Sequence, residues 1–397
     1  MKIKTFSTDF LYTFGVQVVF NGIQHLVVFP WINRLSGPEI TGRILACFSI
    51  VYIFSTSLGY GMNCVRLVEQ RKGSGSNGDY LTLLTIGSIF LFFIVLISKR
   101  CGFDPQVNLI WFAILAILNM IRSYGEVDFR LKLHFSAYFI FYSLVSFGYL
   151  LGLLIYKVTN NWTFIFITGE ILGLIILFYR KMIFIIEKPS NKLFYLGKAV
   201  FFLFLSSIMI QIIVSGDRLI LKYFLGDHFV TVYSSLSLAA KVMNMLVLPL
   251  GTLLLSYLSA KTIPLTKKWL FRILALWSIF CLFSFCITYI ISPIYVKLFY
   301  SNLFNEIQGL NVIVNAGLTI ALIGYLFRIY LIAASSALVV FWFETTFTII
   351  HIILALFLTK YYGMIGYAWA IIIGRGSRLV AGAILSVLFV NKCETSG

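Results

Sequence analysis

Six basic side chains stand inside or beside apolar stretches of this chain: Arg34, Arg66, Arg218, Lys241, Arg375 and Arg378. The acidic groups in comparable places are Asp217, Glu170 and Glu344. A charge at the centre of hydrocarbon costs roughly 2.5–3.5 kcal/mol on insertion scales, so it normally faces a partner or a water-filled cavity. The excess here is positive, and arginine carries a planar fork that holds phosphate through two hydrogen bonds. These residue types suit recognition of an anion such as a phosphate or diphosphate. Asp217 beside Arg218, and Glu344 within reach of a basic residue of the last helix, are the local counter-charges.

Polar stripes at helical spacing accompany the charges. Thr13, Gln17, Asn21, Gln24 and His25 recur every three or four residues, which puts them on one helix face. Ser207, Gln211 and Ser215 repeat the pattern, as do Ser234, Ser237, Lys241 and Asn244. Asn311, Asn315 and Thr319 form another stripe, and Glu344, Thr348 and His351 a further one. Any single residue of this kind serves equally well as a polar tie between helices. The whole set, present in both halves, predicts a polar lumen lined by Gln17, Asn21, Gln24, Gln211 and Asn244 among others.

Other chemistry finds little support. The six cysteines (Cys47, Cys64, Cys101, Cys281, Cys286, Cys393) form no CxxC pair, and the four histidines have neither HxxxH nor HExxH spacing. No nucleotide-binding loop, nucleophile elbow or glycine-rich phosphate cradle is present, so neither a cofactor nor a metal is expected. Asn161-Trp162-Thr163 matches a glycosylation sequon, a short pattern that arises readily by chance.

The elements that position these residues are set by composition. Of 397 residues, 60% are hydrophobic and only 11% charged, with a mean hydropathy of +0.97. A soluble domain carries roughly a quarter charged residues. Twelve apolar runs of about 20 residues, the length a helix needs to cross a bilayer, fall between positions 10 and 390. They are continuous and do not alternate, which excludes a β-barrel. No gap between them holds a soluble domain. The expectation is an all-α polytopic membrane protein of about twelve helices.

The net charge of +17 is spread over alternate loops, unlike the single basic patch of a nucleic-acid binder. With the N-terminus inside, 19 basic residues fall on the cytoplasmic side and nine on the other, the remaining three lying within spans. Arg122 is counted here with the cytoplasmic loops. The positive-inside rule then predicts cytoplasmic N- and C-termini. No cleavable signal peptide is evident: the first apolar run is long, interrupted by polar residues and lacks a small-residue cleavage site.

Two stretches share a plan. A polar-striped helix, a basic residue near its outer end and a short glycine–acidic turn precede a re-entering helix around Gly37, and again around Gly226. Aligning the two glycines sets the repeats 189 residues apart. Six helices per repeat is even, so both run in the same sense about an axis along the membrane normal. The expected lobes are residues 1–190 and 191–397, joined by a basic connection whose Met182–Ile186 run suits the membrane interface.

The residues of these two hairpins carry a resemblance. Asp9-Phe10-Leu11-Tyr12, followed by Arg34-Leu35-Ser36-Gly37-Pro38-Glu39-Ile40-Thr41-Gly42, is similar to the first hairpin of bacterial polysaccharide flippases, the Wzx-type O-antigen transporters. So is Ser215-Gly216-Asp217-Arg218-Leu219-Ile220-Leu221-Lys222-Tyr223-Phe224-Leu225-Gly226, with Val232-Tyr233-Ser234 and Pro249-Leu250 beyond it. His228 and Arg43 depart from the family pattern. The resemblance implies the multidrug/oligosaccharidyl-lipid/polysaccharide exporter fold, two six-helix lobes around a central cavity, in the bacterial inner membrane. It implies as substrate an oligosaccharide on undecaprenyl diphosphate, the diphosphate meeting the basic residues while the polyprenyl tail stays among membrane lipids. Asp217, Glu170 and Glu344 are then candidates for coupling to a proton or sodium ion, or for pairing. A membrane polysaccharide polymerase or glycosyltransferase of the same pathway, and a drug exporter of the same superfamily, are the competing expectations. The absence of a large outer loop argues against the first, and the basic balance against the second.

Overall fold

The computed structural model describes residues 3–71, 75–100, 108–180, 185–259, 266–335 and 337–396, some without their side chains. Among the described residues there is no strand. The long helices are α1 (residues 3–36), α2 (38–71), α3 (Asn77–Arg100), α4 (Leu109–Gly125), α5 (Phe135–Thr159) and α6 (Thr163–Arg180). After them come α7 (Leu193–Leu225), α8 (Asp227–Ser259), α9 (Lys267–Phe299), α10 (Asn311–Ala334), α11 (337–362) and α12 (364–396).

Among the described residues, eight helical stretches are long and apolar enough to cross a membrane. Two of them, Leu11–Leu67 and Val339–Val390, are far too long for one pass and turn back at Gly37 and Gly363, where the backbone leaves the helical region. The bent α7 and the 33-residue α8 complete twelve. The chain is thus an all-α polytopic membrane protein of about twelve helices in two lobes. Outward faces agree with immersion in lipid. On α9, Leu276, Ile279 and Phe283, spaced three and four residues apart, are all exposed.

The two aligned glycines carry matching backbones. Gly37, between α1 and α2, has φ +82°, and Gly226, between α7 and α8, has φ +93°. Glycine enters this region without the steric cost a Cβ brings. Pro38 follows Gly37 as the first residue of α2, where its missing N–H is not needed.

By packing, the chain divides into residues 1–219 and 220–397. In the first unit α5 and α6 lie backbone to backbone: a Cβ on Gly148 would sit 2.4 Å from the Cα of Gly169. Small residues permit this close approach in a membrane, where packing replaces the hydrophobic effect as the driving force. The start of α7 belongs to the same unit, because Gly61 of α2 meets the backbone of Phe204, and Phe90 of α3 packs on the Phe204 ring at 5.8 Å. The connection before α7 is pinned as well. Ser76 and Asp79 cap α3 reciprocally, and the other oxygen of Asp79 accepts from the Ser190 amide at 2.7 Å. Of Met182–Ile186, positions 182–184 lie outside the described residues; Ile186 is 92% exposed.

In the second unit Leu270, Leu326, Phe327, Ile329, Tyr330 and Val390 form a core. Pro293, inside α9, cannot donate to the carbonyl of Tyr289 one turn earlier. The side-chain amide of Asn311 donates there instead, at 3.0 Å. Asn315 Nδ2 donates in turn to Asn311 Oδ1 at 2.7 Å. That polar stripe of α10 thus supplies the donor that the proline removes.

Candidate functional site

Within the first unit a polar network is closed inside the bundle. On α4 and its continuation, Asn119, Arg122 and Glu126 share one face by their spacing of three and four. The Gly148–Gly169 contact brings α5 and α6 close enough for Tyr149 and Glu170 to meet. Glu170 accepts from Arg122 Nε at 2.8 Å, from Tyr149 at 3.0 Å and from Asn119 at 3.4 Å. Arg122 Nη1 donates to Tyr142 at 2.6 Å, and its guanidinium lies 4.9 Å from the ring centre of Phe20. Tyr142 and Tyr138 donate to Glu126. Thr56 donates to Asn119 at 2.8 Å, and Tyr52 to Gln24 at 2.9 Å.

The last two donors come from an unusual backbone. Ile23–Val28 of α1 and Val51–Thr56 of α2 are π-helical, and Gln24 and Tyr52 sit one in each. A π segment inserts one residue into the helical turn and re-aims the side chains that follow, which is why such segments gather at functional positions. Gln24 is buried, and its Nε2 has no hydrogen-bond partner. Arg218 also belongs to this unit. It is 7% exposed, its backbone N–H donates to Asp217 Oδ1 at 2.8 Å, and its Nε makes no hydrogen bond. Its charge lies within electrostatic range of Tyr52.

The remaining predicted residues of this unit are dispersed. Asn21 donates to Gln17 Oε1 at 2.9 Å on the outer part of the α1 face. Gln211 is half-buried. Arg34 is exposed near the Gly37 turn. Arg66 lies at the far end of α2, roughly 40 Å away along the helix. There its guanidinium donates to Tyr124 and Asn77 and lies 5.1 Å from the ring centre of Tyr80. A cavity of about 300 Å³ opens beside it, lined also by Ser76, Ile185 and Glu187.

In the second unit Glu344 of α11 is flanked by two arginines. Arg378 Nη2 of α12 lies 2.7 Å from each carboxylate oxygen, and Arg328 Nε of α10 is 3.1 Å from Oε1. Arg375 stands one turn before Arg378 on the same face. Lys241 and Asn244 lie elsewhere on α8: Lys241 Nζ is 5.6 Å from the Tyr233 ring centre, and Asn244 donates to the Ala240 carbonyl at 3.0 Å.

Two members of these clusters escape a reading of the sequence. Arg122 is 4% exposed and paired inside the bundle, so it is not the loop charge that the topology count takes it for. Its spacing from Asn119 and Glu126 is the signal that it continues a helix face. Arg328 sits at the end of its span, and only the packing of α10 against α11 and α12 reveals it as a neighbour of Glu344. The sequon has a structural role: Asn161 Oδ1 accepts from the Thr163 amide at 3.1 Å and caps α6.

No family model and no curated protein matches the sequence. Solved structures do. An inward-facing multidrug resistance MATE family transporter of the MOP superfamily is 13% identical, with 96% of each chain covered and a TM-score of 0.78. The lipid II flippase MurJ, in an inward closed conformation, is 15% identical over 98% of this chain and 87% of its own, with a TM-score of 0.72. An outward-facing MATE transporter is 14% identical over 99% and 96%, with a TM-score of 0.66. The chain has the fold of these MOP-superfamily transporters and of the lipid II flippase.

Proposed function

We propose that this chain is a flippase that carries an undecaprenyl-diphosphate-linked oligosaccharide across the bacterial inner membrane, by alternating access, for surface polysaccharide synthesis. The observation that carries this reading is the pairing of Arg328 and Arg378 with a single carboxylate, Glu344, within membrane-spanning helices, with Arg375 one turn before Arg378. Charge placed there is costly unless it meets an anion or water. A fold shared with a lipid II flippase makes a lipid-linked anion the natural partner. The sugar crosses past polar faces such as that of Gln17, Asn21 and Gln24, the prenyl chain stays in lipid, and both termini face the cytoplasm. Arg34, Arg66, Arg218 and Lys241 are further basic contacts along the route. Asp217, Glu170 and Glu344 are the candidates for ion coupling or pairing, Glu170 being held by Arg122 and Glu344 by arginines.

The test is cellular. In a strain lacking the protein, the lipid-linked oligosaccharide accumulates in the cytoplasmic leaflet, and the wild-type chain restores its export. Arg378→Gln fails to restore it although the protein reaches the membrane. Normal export in the strain lacking the protein refutes the reading.

Multidrug export is the second reading, favoured by the TM-score of 0.78 to a multidrug transporter. It predicts resistance to cationic drugs on overexpression, which the local excess of Arg328, Arg375 and Arg378 over Glu344 opposes.

A further inference from the structure

Two buried or half-buried arginine–glutamate pairs lie within the spans, and they are built differently. Arg122 and Glu170 expose 5% and 0% of their side chains, and two other donors, Asn119 and Tyr149, converge on Glu170. That pair is closed. Glu344 and Arg378 each expose 24%, and Arg328 exposes 33%. That group is only partly covered by the rest of the chain.

The second pair is also loosely fitted. A guanidinium and a carboxylate satisfy each other best through two parallel hydrogen bonds from two nitrogens. Arg378 instead sets one nitrogen, Nη2, against both oxygens of Glu344, while its Nε is buried and makes no hydrogen bond. Arg328 Nε, 3.1 Å from Oε1, is not aligned as a hydrogen bond either. Two arginines meet one carboxylate, and Arg375, one turn before Arg378 on α12, makes no ion pair among the described residues. Glu344 supplies one negative charge where the group has unused donors and positive charge for two or more. A diphosphate offers more oxygens and more charge than a carboxylate, and its tetrahedral phosphoryl groups reach donors on several sides.

We infer that Glu344 is a resident anion that occupies the phosphate seat formed by Arg328, Arg375 and Arg378, and that a diphosphate group displaces it. The inference rests on the proposed function for its substrate and adds how the seat is kept when empty. Three arginines without a counter-ion inside a helical bundle repel one another and are poorly hydrated. The tethered carboxylate relieves that cost, and because it is tethered it competes with the ligand. Glu344 therefore lowers affinity and eases release, which a carrier needs more than tight binding.

Binding of farnesyl diphosphate to the purified full chain in nanodiscs tests this. Glu344→Gln removes the competitor and is expected to bind at least about tenfold more tightly, between the roughly fivefold of a contact charge in bulk water and the roughly thousandfold at an effective dielectric of about 20. Glu344→Asp keeps the charge, withdraws it by one methylene, and gives a smaller gain in the same direction. Arg378→Gln loses binding in either background. Inorganic pyrophosphate competes for the seat, whereas vesicles of phosphatidylglycerol, a single phosphodiester, do not. If wild type binds the probe and neither Glu344 variant binds it more tightly, the carboxylate is a structural tie and the inference falls. Competition by phosphatidylglycerol but not by pyrophosphate overturns the assignment to a diphosphate. Failure of every form to bind farnesyl diphosphate overturns it too. Binding that responds to Glu344 in a chain that translocates no lipid-linked oligosaccharide leaves the seat standing and removes the proposed function alone.

Discussion

Arg122 and Glu170, 48 residues apart on α4 and α6, meet at 2.8 Å with neither side chain more than 5% exposed. Removing one partner of such a pair strands the other charge in a low-dielectric interior, at a cost of about 3–5 kcal/mol, whereas replacing both with apolar residues of similar volume is often neutral. Glu170→Gln is therefore expected to lower the thermal unfolding midpoint of the detergent-purified chain sharply. The double substitution Arg122→Met with Glu170→Leu brings it most of the way back. A single variant as stable as wild type would mean that Arg122 finds another counter-charge.

The Asn311 side chain satisfies the carbonyl that Pro293 leaves open. An unmet carbonyl in hydrocarbon costs several kcal/mol, since no water is there to meet it. Asn311→Leu should destabilise the second unit by about 1–3 kcal/mol, the penalty of one stranded polar group. In a Pro293→Ala background the helix supplies its own N–H, and the same substitution should cost markedly less. Equal losses in the two backgrounds, measured by thermal unfolding, would show that Asn311 acts through a different contact.

Topology admits a direct check. With native cysteines replaced by serine, Lys188→Cys in the connection before α7 should react with a membrane-impermeant maleimide only after the cytoplasmic face is opened. Ser301→Cys, beyond the end of α9, should react in intact spheroplasts. Both positions are exposed. The reverse pattern would invert the orientation assigned from basic loops.

Much of the architecture is legible in the order of residues. Continuous apolar runs mark the helices because lipid leaves the backbone no other partner than itself. Gly37 and Gly226 announce matching turns, and both adopt positive φ. The sites were less accessible. Which arginine meets which carboxylate depends on how helices pack, and here that packing turns on glycines such as Gly148 and Gly169, whose lack of a side chain looks the same in sequence wherever it falls. The π segments that aim Gln24 and Tyr52 leave no signature in residue type. Arg122 looked like a loop charge because α4 carries its polar face into the bundle beyond the apolar run.

The central claim is translocation of a lipid-linked oligosaccharide, and its most direct measurement uses sealed proteoliposomes. A fluorescent oligosaccharide on undecaprenyl diphosphate is placed in one leaflet, and its arrival in the other is read with a membrane-impermeant glycosidase. The wild-type chain is predicted to move the lipid at a rate well above protein-free vesicles, and Arg378→Gln to fall to the protein-free rate while remaining folded and inserted. Lysine at position 378, which keeps the charge without the fork, should retain part of the activity. Wild-type vesicles no faster than protein-free ones, or equal rates for wild type and Arg378→Gln, would contradict the account.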